Sequence, residues 1–191
     1  MDSVGALINV AATRRPAMAP IVACYYAVRE MPYALDGAHD ALELLGQHRG
    51  DCLAKSELLG LAAKFLGFPA RYVRWRYQLP DVVPETAHLS SRIDLHRAVQ
   101  LRLAAKWVLV DCTHQAALRG TPLVVSDWDG QRDTEPAYPP MGDLIIEALD
   151  PARVSDACEE IRQWTASCPA ALSAWRIAYS AWLSQYEKPC G

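Results

Sequence analysis

From Pro20 to Glu30 the apolar residues Ile21, Cys24, Tyr25 and Val28 recur at i, i+3, i+4 and i+7. That spacing lays an apolar stripe along a helix, with Pro20 near its start, where a missing N–H costs nothing, and Pro32 beyond its end. A second, shorter helix is predicted over residues 38–45, stopped by Gly46. The next stretch has a different character. Asp51 can cap it, and Leu53, Leu58, Leu59, Leu61, Ala62, Ala63, Phe65 and Leu66 surround most of the cylinder. Apolar residues on all sides mean a helix buried nearly all round. Gly67 and Pro69 close it.

After Pro69 the period changes from helical to alternating. Residues 70–79 read as a strand, with Tyr72, Arg74 and Arg76 opposed to Val73, Trp75 and Tyr77. Residues 80–91 form a polar loop, and 94–103 and 107–113 two further strands joined by a small turn at Ala104 and Ala105. Residues 120–140 read as a long loop with a short strand at 122–126, and 155–187 as two helices broken at Cys168-Pro169. The sum is an α+β fold, helices packed on a small antiparallel sheet with the 52–66 helix buried between layers. The expected organisation is a domain over 1–150 and a helical extension over 151–191 packed on it.

Composition narrows the classes of function. The 191 residues are 51% hydrophobic and 21% charged, with a formal net charge of -3, so a full core is affordable and a general nucleic-acid binder is not expected. No apolar run reaches the length of a membrane span. In MDSVGALINVAATRRPAMAP the arginines follow the apolar stretch, the reverse of a secretory signal, which makes a cytoplasmic protein the expectation. The six cysteines contain no CxxC pair, which gives a structural zinc site no support.

One cysteine has distinctive surroundings. Cys52 falls in the first turn of the buried helix, directly after Gly50-Asp51, where free N–H groups and the positive helix end stabilise a thiolate and supply an oxyanion donor. Such a nucleophile needs a base and a group that orients the base. His96 and Asp111 can fill these roles if the hairpin loop holds an even number of residues. Paired positions then sum to 209, and His96 lies diagonal to Asp111 on one face, within reach of an imidazole–carboxylate bond. Val99, Leu101, Leu103, Val108 and Val110 collect on the other face as core. A three-residue loop without a bulge would separate His96 from Asp111.

At these residues the sequence resembles a known family. RGDCLAKSELLGLAAKFLGFPARYV, residues 49–73, is similar to the nucleophile segment of the transglutaminase-like superfamily of papain-like cysteine enzymes. LHRAVQLRLAAKWVLVDCT, residues 95–113, resembles its histidine and aspartate strands, VREMPY the segment before the nucleophile, and SDWDGQRD a downstream element. The resemblance implies a papain-like core, with Cys52 as nucleophile, His96 as base and Asp111 as orienting acid. Gln47, five residues before Cys52, resembles the glutamine that completes the oxyanion hole in papain-like enzymes. Where many members carry a tryptophan and a glutamate two and four positions after the histidine, this chain has Ala98 and Gln100.

The function these features suggest is thiol-dependent acyl transfer on an amide or thioester through an acyl-thioenzyme, released to water or to an amine. No cofactor or metal is called for. The partners are an acyl donor, such as a peptide, an amide or a carrier-protein thioester, and for transamidation an amine acceptor. Two alternatives stay open: a non-catalytic binding or assembly module that keeps the fold, and a metal-dependent hydrolase using Cys112, His114 and His96. The stripe Trp175, Tyr179, Trp182 and Tyr186 is expected to serve as core or as a homodimer contact, and Arg71, Arg74 and Arg76 as solvated surface.

Overall fold

The computed structural model describes residues 2–187. Its helices are α1 (Asp2–Arg14), α2 (Pro20–Arg29), α3 (Ala41–Gln47), α4 (Cys52–Phe65), α5 (Pro151–Ser167) and α6 (Pro169–Ser184). The strands are β1 (Tyr33–Ala38), β2 (Ala70–Gln78), β3 (Ile93–Leu103), β4 (Lys106–Val110) and β5 (Ile145–Ile146). Strands β4-β3-β2-β5, in that order, form one antiparallel sheet. The fold is α+β.

The hairpin β3–β4 has the even loop that the sequence requires. Leu103 pairs with Lys106 and Val99 with Val110, so the two residues Ala104 and Ala105 make the turn. Ala104 adopts φ 52, a left-handed conformation that a Cβ disfavours. Val99, Leu101, Val108 and Val110 share one face and pack in a single cluster with Leu58, Leu59, Ala62 and Ala63 of α4 and Tyr25 and Val28 of α2. The opposite face carries Val73, Trp75, Tyr77, Ala98 and Leu109 against Leu172, Trp175, Tyr179 and Leu183 of α6. The sheet is therefore sandwiched, with α4 on one side and the C-terminal helix on the other.

Several elements differ from the sequence-based expectation. Residues 33–38 are extended, an element the sequence pattern does not mark, and α3 begins only at Ala41 and not at 38 because Asp40 caps it through Leu42 and Glu43 N–H. His48, at φ 56, ends α3 in place of Gly46. No strand forms at 122–126. β4 stops at Val110 because residues 133–134 cover its edge: Leu109 N–H donates to Asp133, and Asp111 N–H to Thr134 Oγ1 at 2.8 Å.

The C-terminal aromatic stripe is divided. Trp175 and Tyr179 are buried in the chain's own core, stacked at 5.0 Å, while Trp182 and Tyr186 lie at its margin. The basic face of β2 is not simply solvated. Arg74 pairs with Glu147, Arg76 with Glu160, and Arg71 donates to Gln100 at 2.8 Å while lying over the Trp107 ring. Two of these three arginines therefore tie the sheet to the segment that follows it. No helix among the described residues is long and apolar enough to cross a membrane.

Candidate active site

Cys52 opens α4, and the residues before it explain why. Asp51 Oδ1 accepts from Leu53 N at 2.8 Å and Ala54 N at 3.0 Å, filling two of the helix's orphan donors. Its other oxygen meets His39 Nδ1 at 2.6 Å. Gly50 is there because the segment crosses β1 closely: a Cβ would stand 2.7 Å from the Ala38 carbonyl oxygen. Gly37 on the other side has the same constraint, with a Cβ 2.8 Å from Arg49 O. The Gly-Asp-Cys order thus encodes a close crossing, a cap and a helix start. Being at the first helical position, Cys52 N–H has no carbonyl four residues back within the helix to bind.

The second strand pair brings up the remaining groups. His96 on β3 and Asp111, one residue beyond β4, lie on the same face with Nε2 and Oδ2 2.8 Å apart. Both are almost fully buried. The carboxylate is held from three sides, since Thr113 N–H donates to Oδ1 at 3.1 Å and Ala137 N–H to Oδ2 at 2.8 Å. As an ionised carboxylate only accepts, Nε2 carries the hydrogen in this pair. The other ring nitrogen, Nδ1, is buried with no hydrogen-bond partner among the described residues. Cys52 adjoins this ring and is one of the groups that favour its protonated form.

Electrostatics follow from this burial. Desolvation opposes charging His96, but the Asp111 carboxylate, with help from Cys52, outweighs it and raises the imidazole to about 10. Burial likewise opposes ionising Asp111, yet His96 and the two N–H donors hold its carboxyl down at about 2. Trp75, Tyr138 and Tyr77 surround the imidazole, with ring centroids 4.7, 5.1 and 6.1 Å away. They exclude water from a pair that water would otherwise weaken.

Lys55, one turn along α4 from Cys52, is a buried group that sequence pattern does not reveal. Its ammonium donates to Arg29 O at 3.0 Å, Met31 O at 2.7 Å and Thr113 O at 2.5 Å, using all three hydrogens. Burial lowers it to about 8. This tripod fastens the helix bearing Cys52 to the chain just after Asp111. His114, next in line, is committed too: Nδ1–H donates to Val124 O at 2.8 Å and Nε2 accepts from Tyr138 Oη at 3.1 Å. Burial pushes it down to about 4, so it is neutral near pH 7.

Cys52 lines a cleft of about 400 Å³ whose floor includes Tyr33, Tyr77 and Asp94, with α5 and α6 forming one wall. Two clefts of about 550 and 520 Å³ exist elsewhere, beside α1 and α3, but neither includes Cys52. Gln47 belongs to the second of these. It is exposed at the end of α3, in a cleft with Arg49 and Gln115, and does not line the Cys52 cleft. The structure thus groups Cys52, His96 and Asp111 and leaves Gln47 apart. The left-handed turn at His48 carries the chain out of α3 before it reaches the crossing at Gly50.

Asp94 could have been found from the sequence, since it stands two residues before His96 on an alternating strand. The cleft residues of α5 and α6 could not, because they come from a distant segment with no motif.

No curated protein is significantly similar to the chain. A solved TGase structure shares 17% identity over 59% of this chain and 31% of its own, with a TM-score of 0.43. A candidate cysteine protease from Cytophaga hutchinsonii shares 17% identity over 61% of this chain and 40% of its own, again with a TM-score of 0.43. The chain therefore spans less than half the length of either protein. Residues 9–112, more than half of the chain and the stretch that holds Cys52, His96 and Asp111, match the family model of the transglutaminase-like superfamily. The chain belongs to the transglutaminase-like superfamily, a group of cysteine-dependent enzymes.

Proposed function

We propose that this protein is a thiol-dependent acyl-transfer enzyme in which Cys52 is the nucleophile, His96 the proton carrier and Asp111 the orienting acid. One observation carries the reading: the buried His96–Asp111 pair at 2.8 Å uses Nε2 and leaves Nδ1 without a partner among the described residues, on a ring that Cys52 adjoins. A histidine held only for structure would have both nitrogens engaged, as His114 does.

The reactive form is the thiolate–imidazolium pair. Sγ of Cys52 adds to the carbonyl carbon of an amide or thioester, and the carbonyl π electrons move to oxygen. The resulting oxyanion faces the N–H of Cys52 and the positive end of α4. As the tetrahedral intermediate collapses, imidazolium gives its proton to the departing amine or thiol, leaving an acyl-thioenzyme and neutral imidazole. Water or an amine then attacks the thioester carbonyl, His96 takes the proton, and the product leaves as Cys52 regains its starting form. Asp111 keeps the ring orientation throughout and stabilises its charge. None of these steps needs a cofactor.

Intact-mass measurement after incubation with activated amide and thioester donors tests the reading. A covalent acyl adduct is expected on wild-type protein, absent in Cys52→Ala and slowed at least about a hundredfold in His96→Ala. Equal labelling of wild type and Cys52→Ala by donors and by thiol-directed electrophiles would refute it and favour a binding module with an inert cysteine.

A further inference from the structure

The wall that α5 and α6 add to the Cys52 cleft lies outside residues 9–112, the segment that carries the family match. It brings charge. Arg162 and Arg176 come from these helices and face the same cleft as Arg74 of β2. Two of the three guanidinium groups have partners. Arg74 binds Glu147 and points Nη1 at Cys158 Sγ, 3.8 Å away, and Arg162 holds Glu159 at 2.6 Å. Arg176 is exposed and has neither an ion pair nor a hydrogen bond among the described residues.

The carboxylate in the same cleft that responds to Arg176 is Asp94. Its Oδ1 accepts from Leu95 N at 2.7 Å, and no cation pairs with it among the described residues. Burial raises its carboxyl, and Arg176 is the foremost of the charged side chains that pull it back down. Arg176 therefore stands close enough to feel Asp94 without being consumed by it. At the base of the cleft Asp51 is committed to Leu53 N, Ala54 N and His39, and the His96–Asp111 pair is neutral overall, which leaves Arg176 as the guanidinium with no carboxylate of its own among the described residues. The aromatic walls Tyr77 and Trp175 keep the local field from being fully screened.

We infer that this cleft selects an acyl donor carrying a carboxylate beside its reacting carbonyl, with Arg176 as the specificity residue that meets it. The inference rests on the acyl-transfer reading above. A single negative charge fits better than a phosphate dianion, because Arg176 faces a cleft that also holds the carboxylates of Asp51 and Asp94.

The test compares two reagents that differ only in charge, iodoacetate and iodoacetamide. In each, Sγ displaces iodide and a carbon–sulfur bond forms, so the ratio of rate constants at the Cys52 peptide reads the field in the cleft without requiring catalysis. The ratio is expected to fall about three- to tenfold in Arg176→Gln and further in Arg176→Glu, and to persist in Arg176→Lys. His96 contributes equally in all four proteins, so the differences belong to Arg176. Raising salt to about 0.5 M should bring the wild-type ratio toward that of the Gln variant. Acidic peptide donors should lose the same factor in kcat/KM against neutral ones. A ratio unchanged among these variants while Cys52 still reacts overturns the carboxylate preference alone. A Cys52 that reacts with neither reagent overturns the acyl-transfer reading and this inference together.

Discussion

Replacing Asp111 with Asn removes one charge from a buried pair while keeping its size. In the native protein the carboxylate accepts from His96, Thr113 N and Ala137 N, so the amide also turns an NH2 group toward an existing donor. Raising His96 from 6.5 to about 10 represents about 5 kcal/mol of preference for the protonated folded state, at about 1.4 kcal/mol per pH unit. Breaking buried pairs by removing one partner costs about 3–5 kcal/mol, which agrees. The pH dependence has a definite sign. The folded-state value lies above the unfolded one, so the contribution is complete below about 6.5 and disappears as pH rises through about 10. Urea unfolding of wild type and Asp111→Asn should differ by about 3–5 kcal/mol near pH 6.5, and by much less near pH 10.5. A gap of the same size at both pH values would refute the buried ion pair as its source.

Gly50→Ala should destabilise the protein by about 1–3 kcal/mol and slow Cys52 alkylation, because the new methyl meets backbone at Ala38 O; thermal melts and alkylation rates would check it. Ala104→Gly should do the opposite, stabilising by about 1 kcal/mol through relief of the left-handed turn, seen as a higher urea midpoint. His114 has its folded value depressed to about 4, so its stabilising contribution holds above about 6.5 and is lost as pH falls toward 4. The stability profile of His114→Gln should be flatter than wild type between those values.

The hairpin was readable from sequence because one constraint fixed it: five apolar residues had to share a face, and only an even loop allows that while joining His96 to Asp111. The start of α4 was readable for a similar reason, since Asp51 and Cys52 act through local hydrogen bonds. What stayed hidden depends on distant partners. β1 pairs only through bridges to Gly50, so no alternation marks it, and Tyr33–Ala38 looks like the run-up to a helix. The expected strand at 122–126 carries β-prone residues but finds no neighbouring edge, whereas the two residues of β5 pair with β2. Gln47 lines another cleft because spacing from Cys52 says nothing about the turn at His48. Lys55 was concealed in a helix whose apolar pattern gives no hint that an ammonium could be satisfied there.

That ammonium joins the end of α2, the linker to β1 and Thr113, two residues after Asp111, to a single point on α4. An amine with every hydrogen engaged and no exposure is shielded from acylating reagents unless those segments separate. Lys55 is accordingly a natural sentinel for opening of the molecule: its rate of modification reports how often the layer carrying the sulfur parts from the layer carrying the imidazole.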